Sequence, residues 1–185
     1  MINWLCVLSI VLSVLLMSCS TQTSAVSPTA TPSSQTQAPM NQEKVPLTTN
    51  AGQQLPISAV AIVPDGAKIH LEVAQTPQEQ AMGLMFRPAL PDDRGMLFQF
   101  PSAFQASFWM KNVPVPLDMV FILDGVVKYV AVSVPPCNTI PCPTYGPETP
   151  VNQVIELRSG RASELGLKEG SRVKIDFLKS GASMK

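Results

Sequence analysis

Two apolar runs, Leu117–Leu123 and Val126–Val134, are separated only by Asp124-Gly125. A two-residue connection forces the chain to reverse, and Asp-Gly tolerates the positive φ angles of a type I′ turn. An antiparallel hairpin is therefore expected here, with both of its strands near the centre of a sheet. Residues 67–74 support a sheet, because Ile69, Leu71 and Val73 alternate with Lys68, His70 and Glu72, the period of a half-buried strand. Short strands are also expected over 95–100, 107–110, 151–157 and 172–178.

Helical signals are fewer. Thr76-Pro77-Gln78-Glu79 has Thr as N-cap, Pro at the first helical position and Glu placed to complete a capping box, so a helix should run to about Leu84. A second short helix is expected over 159–165, ended by Gly166. Strands outnumber helices and no regular βαβ series is visible. The expected class is α+β and β-rich, a compact antiparallel barrel-like sheet with two short helices.

The chain before this region has a different composition. Residues 1–18 contain no Asp, Glu, Lys or Arg, and the apolar run 4–17 suits a signal-peptide core but is short for a membrane span, which needs ~20 apolar residues. Leu16-Met17-Ser18-Cys19 resembles the lipobox of bacterial lipoproteins, which implies cleavage before Cys19 and a lipid on its sulfur. Residues 19–55 are dominated by Ser, Thr, Gln, Pro and Ala and lack the large apolar residues needed to fold, so they read as a disordered tether. By random-coil scaling that tether spans roughly 30–35 Å. Residues 56–185 are then a single folded domain with a core at about 67–179. The expected setting is export and lipid anchoring to a bacterial membrane, with the domain in the periplasm or extracellular space.

Thirteen basic and thirteen acidic residues give a formal net charge of zero, with no Lys/Arg cluster, so nucleic acid is not an expected partner. Of the four cysteines, Cys6 lies in the signal peptide and Cys19 takes the lipid. Cys137 and Cys142 remain, and an exported protein favours a disulfide between them. The spacing is not Cys-x-x-Cys, and no further Cys or His completes a zinc site, so neither a metal nor a cofactor is expected.

Residues 68–178 resemble the bacterial and archaeal group catalogued as domain of unknown function 192 (DUF192), also called uncharacterised protein family 0127. The motifs that carry the resemblance are Gly83-Leu-Met, Gly95-Met-Leu-Phe, Phe108-Trp-Met-Lys-Asn, Pro116-Leu-Asp-Met and Val154-Ile-Glu-Leu with Gly160 and Gly166. The resemblance implies a compact β-rich fold, commonly exported or tethered, and supplies no agreed catalytic residue or substrate. The Cys137/Cys142 pair and the segment 142–147 are more elaborate than the family's plain form.

Asp118 opens an apolar strand, so an inward-facing carboxylate there must be paired or hydrogen-bonded. It could accept backbone N–H bonds from the 112–114 turn, or converge with Lys111 and Asn112 beside Trp109. The second arrangement would hold a polar ligand by charge-assisted bonds while the indole stacks on its apolar face. His70, the sole histidine, is expected on a solvated face. Met82, Met85, Met96, Met110 and Met119 read as core fillers more readily than as copper ligands, and Arg87, Asp92, Asp93 and Arg94 as a solvated turn. Three functional classes stay open. One is a lipid-anchored module binding a small polar ligand, glycan or envelope protein through Trp109, Lys111, Asn112 and Asp118. Another is an envelope hydrolase or lyase with Asp118 as general base and Lys111 as electrostatic stabiliser. The third is a purely structural envelope lipoprotein.

Overall fold

The structure is a computed structural model that describes residues 52–179. The expected signal peptide, Cys19 and the tether up to residue 51 lie outside the described residues. In chain order the elements are β1 (Ile57–Ile62), β2 (Lys68–Ala74), α1 (Pro77–Met82), β3 (Arg94–Phe104), β4 (Phe108–Trp109), β5 (Leu117–Leu123), β6 (Val126–Val134), β7 (Thr144–Tyr145), β8 (Val151–Arg158), α2 (Arg161–Glu164) and β9 (Lys174–Phe177). The class is α+β and β-rich, with two short helices among the described residues.

Local signals acted as the chemistry requires. Asp124 and Gly125 take φ angles of 49° and 76°, and the β5–β6 hairpin follows. The Thr76 side chain accepts from the Glu79 N–H while the Glu79 carboxylate accepts from the Thr76 N–H, so the capping box is closed in both directions.

The long-range arrangement differs in three ways from the expectation. The seven-stranded sheet has the order β6-β5-β8-β3-β2-β1-β9, which puts the hairpin at one edge and β8 and β3 in the middle. β5 is buried along its length because it lies between β6 and β8, whereas β6 keeps the half-exposed pattern of an edge. The sheet is also mixed. β2 and β3 pair in parallel, because α1 and the 83–93 loop carry the chain back across one face before β3 begins. Finally, the sheet is not closed. A bridge from Val126 to Arg172, with Val127 and Ser171 hydrogen-bonded at 2.9 Å, draws the two ends together and leaves an open, curled sheet.

Both faces carry a core. On one face, Leu71, Leu97, Val120, Ile122 and Leu157 pack beneath Ala162 and Leu165 of the α2 region. On the other, Met96, Phe98, Met119, Phe121 and Val154 pack beneath Leu84, Met110 and Phe108. Because successive strand residues alternate between faces, the central strands read as nearly unbroken apolar runs. Residues 52–55, expected as the end of the tether, pack onto this second face. Gln53 donates to the carbonyls of Glu79 (2.8 Å) and Gly83 (3.0 Å), and the Leu55 N–H donates to Glu72.

Candidate functional site

Over the second face the chain leaves a cavity of about 370 Å³ between the end of α1, the wall of β3 and the β4–β7 ribbon. Phe98, Phe100, Phe104, Phe108 and Trp109 line it, with Met82 and Met85 from the α1 side. The aromatic wall is built edge to face: Phe98 and Phe108 have centroids 4.9 Å apart and Phe108 and Phe121 5.8 Å apart, so each ring fixes the next. Two glycines permit this geometry. Gly83 ends α1 with φ 48°, and a Cβ there would press on the Phe98 ring at 3.3 Å. A Cβ at Gly146 would collide with the Ala106 carbonyl, so only glycine lets the strand after Tyr145 lie against the segment leading into β4.

Trp109 and Lys111 stand in the lining of this cavity. Trp109 is 48% exposed, and the Lys111 Nζ lies 5.4 Å from its ring centroid in a cation–π contact. They provide an indole face and a positive charge beside solvent.

Asn112 sits next to the cavity and not in its lining. It adopts φ 57°, its carbonyl accepts from the Phe86 N–H at 2.8 Å, and with Phe86 and Pro114 it borders a separate shallow depression. The expected convergence on Asp118 needs correction. Asp118 is fully buried on the opposite face of the sheet, in line with Val120 and Ile122. Its Oδ1 accepts from the Ser133 N–H (2.7 Å) and the Gly160 N–H (3.0 Å), and its Oδ2 from the Ala162 N–H (2.8 Å). Both oxygens are engaged by backbone donors, though not those of the 112–114 turn. It ties β6 and the start of α2 to β5.

The group that does reach the cavity is Glu156 at mid-strand in β8. Its cross-strand neighbours are Met96 on β3 and Met119 on β5, which offer thioethers and no strong donors. Glu156 is 4% exposed and its Oε2 has no hydrogen-bond partner in the protein. Burial pushes its carboxyl up to about 8, which keeps it protonated at neutral pH. Glu156 shows the same signal that singled out Asp118: it is the lone acid in the apolar run Val154-Ile155-Glu156-Leu157.

Other charged residues are engaged elsewhere. Glu72, expected on a solvated face, is buried and forms a bidentate pair with Arg87 (2.6 and 2.9 Å), so Arg87 does not belong to a solvated turn. Arg158 donates to Asp92 and to Glu164, and these contacts hold both carboxyls below their ordinary value. His70 is half-buried, with Nδ1 3.5 Å from Asp93. Met96, Met110 and Met119 are core, whereas Met82 is exposed at the cavity. Cys137 and Cys142 are joined by a disulfide. Among the described residues no three His, Cys, Asp or Glu side chains are grouped to hold a metal ion. No helix among them is long and apolar enough to cross a membrane.

The DUF192 family, described as "Uncharacterized ACR", matches residues 60–175. The chain belongs to this family. Two solved structures are similar to this DUF192 protein. A protein of unknown function from Novosphingobium aromaticivorans DSM 12444 is 34% identical, over 63% of this chain and 83% of its own, with a TM-score of 0.57. A protein from Sinorhizobium meliloti 1021, described as a candidate transcription regulator, is 29% identical over 66% of this chain and 97% of its own, with a TM-score of 0.58. Curated proteins give no significant match.

Proposed function

We propose that this DUF192 protein is a binding module for a small ligand with an apolar or aromatic body, held on a bacterial membrane by a lipid on Cys19 with its domain in the periplasm or extracellular space. The observation that carries the binding reading is the aromatic-walled cavity of about 370 Å³, a size within the range of small-molecule sites, with one buried carboxyl and one cation by solvent. It modifies the expected polar ligand: the lining is mainly ring, thioether and aliphatic surface, Glu156 and Lys111 are its two ionisable groups, and Gln80, Ser107 and Thr144 are its neutral polar ones. The anchoring reading rests on Leu16-Met17-Ser18-Cys19, and the Cys137–Cys142 disulfide accords with an oxidising compartment. Asp118 is fully buried on the face away from the cavity and Lys111, with both oxygens accepting backbone N–H bonds, which removes the motive for a hydrolase or lyase built on Asp118 and Lys111. The regulator description of the Sinorhizobium protein is not carried over, since a net charge of zero without a Lys/Arg cluster gives phosphates little to bind.

The test is a thermal-shift screen of the full chain against aromatic and alkyl small molecules, repeated with Ala81→Trp, which puts a bulky side chain on the exposed α1 rim of the cavity. A ligand at a hundred times its Kd adds about 2.7 kcal/mol of stability. A shift lost in Ala81→Trp and reduced in Trp109→Ala supports the reading. Stabilisation that Ala81→Trp leaves intact, or no stabilisation by any compound, sinks it in favour of a structural lipoprotein. Anchoring is tested separately by palmitate labelling in cells, which Cys19→Ser should abolish.

A further inference from the structure

Glu156 is the buried acid in the cavity lining, and its Oε2 has no hydrogen-bond partner in the protein. Surrounding groups leave Glu156 to itself. Gln80, the polar side chain that α1 brings to the lining, spends its Nε2 on the carbonyls of Ala74 (3.2 Å) and Gln99 (3.0 Å). One strand beyond Met96, Glu72 is neutralised by Arg87. Arg158, two residues along β8, is bound to Asp92 and Glu164. Lys111 is the cation in the cavity lining, and it lies against Trp109. On the β5 side stands Met119.

We propose that Glu156 is the polar anchor of this cavity, donating its carboxylic O–H to a carbonyl oxygen at the buried end of the apolar or aromatic ligand. This inference rests on the binding reading above and names the ligand's recognition group. Counting donors and acceptors decides the chemistry. An ammonium brings three N–H donors to a carboxyl whose cross-strand neighbours are Met96 and Met119, and at most one carboxylate would meet them at that end of the cavity. A carbonyl needs one donor, which the protonated carboxyl supplies, and its remaining body then meets the mainly aromatic and thioether lining. Above the titration of Glu156 the donor becomes an acceptor and faces the carbonyl oxygen with like polarity. Carbonyl selectivity is therefore a property of the protonated state and disappears in alkali.

Three probes of nearly one shape separate the alternatives: ethylbenzene, acetophenone and 1-phenylethylamine. Binding to the full chain is followed by NMR of 13C-methyl methionines, since Met82 and Met85 line the cavity and Met96 and Met119 flank Glu156. At pH 6 acetophenone should bind roughly 5–10-fold more tightly than ethylbenzene, the ratio expected of one net hydrogen bond, and the two should become equal by pH 9–10. Glu156→Gln should keep the acetophenone preference at every pH, because an amide N–H donates without titrating. Glu156→Leu should bind both probes alike. Equal binding of acetophenone and ethylbenzene at pH 6, a pH dependence that survives Glu156→Gln, or tightest binding of 1-phenylethylamine would each overturn the anchor while leaving the cavity a binding site. Failure of all three probes to perturb any of these four methionines would overturn the binding reading with it.

Discussion

Replacing Glu156 by Gln should make the protein more stable at neutral and alkaline pH and leave it little changed in acid. Glu156 is buried and its carboxyl titrates at about 8 in the fold against 4.5 for the exposed side chain. Between these values the folded state holds a proton that the unfolded state has lost, so unfolding stability falls as pH rises. The contribution is fully present below about 4.5, declines through neutrality and is gone above about 8. Each pH unit in that window is worth about 1.4 kcal/mol, so Glu156 alone should remove about 3 kcal/mol between pH 4 and 7 and about 5 kcal/mol by pH 9. For a domain whose whole stability is about 5–15 kcal/mol, that is a large share. Gln cannot ionise, and any cost of burying its amide is independent of pH. Glu79, held low by the Thr76 N–H, and Asp92 and Glu164, held low by Arg158, act with the opposite sign in acid. Both proteins share those terms, so they cancel in the difference. The assay is urea denaturation of wild type and variant at half-unit steps from pH 4 to 9, taking the difference in unfolding free energy. That difference should grow in favour of Glu156→Gln with a slope of about 1.4 kcal/mol per unit and flatten above pH 8–9. A difference that stays level from pH 5 to 8 would refute the buried, protonated carboxyl.

Asp118→Ala removes the acceptor for three backbone N–H groups and should cost at least about 3 kcal/mol in urea denaturation. The surviving folded fraction should bind cavity ligands with unchanged Kd, because the side chain faces the other side of the sheet. Arg87→Met strands the buried Glu72 carboxylate and should cost about 3–5 kcal/mol, much of it recovered in the Glu72→Gln/Arg87→Met double variant, both read by denaturant midpoint. Reducing the Cys137–Cys142 bond opens a loop with a sequence separation of 5 and should lower stability by about 2 kcal/mol, measured as the shift in urea midpoint with and without dithiothreitol.

What could be read from the sequence follows the range of each interaction. The Thr76–Glu79 capping box and the Asp124-Gly125 turn are decided within four residues, and both stand where the chain signals them. The place of the hairpin at the sheet's edge was not legible, because it depends on β8, some thirty residues away, pairing with the free side of β5. The same holds for Glu72. Its alternating strand reads as half-solvated until Arg87 and Leu55 arrive from elsewhere to cover it. Asp118 and Glu156 make the sharper comparison, since each is a single acid in an apolar strand and sequence assigns them one and the same burial problem. Their positions solve it differently. Asp118 lies where α2 begins, and the early N–H groups of a helix have no partner inside it, so the carboxylate and the helix satisfy one another. Glu156 lies at mid-strand on β8, where neighbouring backbone groups are already spent on the ladder and the adjoining side chains are Met96 and Met119. No local partner can reach it, so the acid retains its proton and turns to the cavity. An acid that the backbone saturates holds the fold together. One that the fold leaves unsatisfied has binding chemistry to offer a ligand.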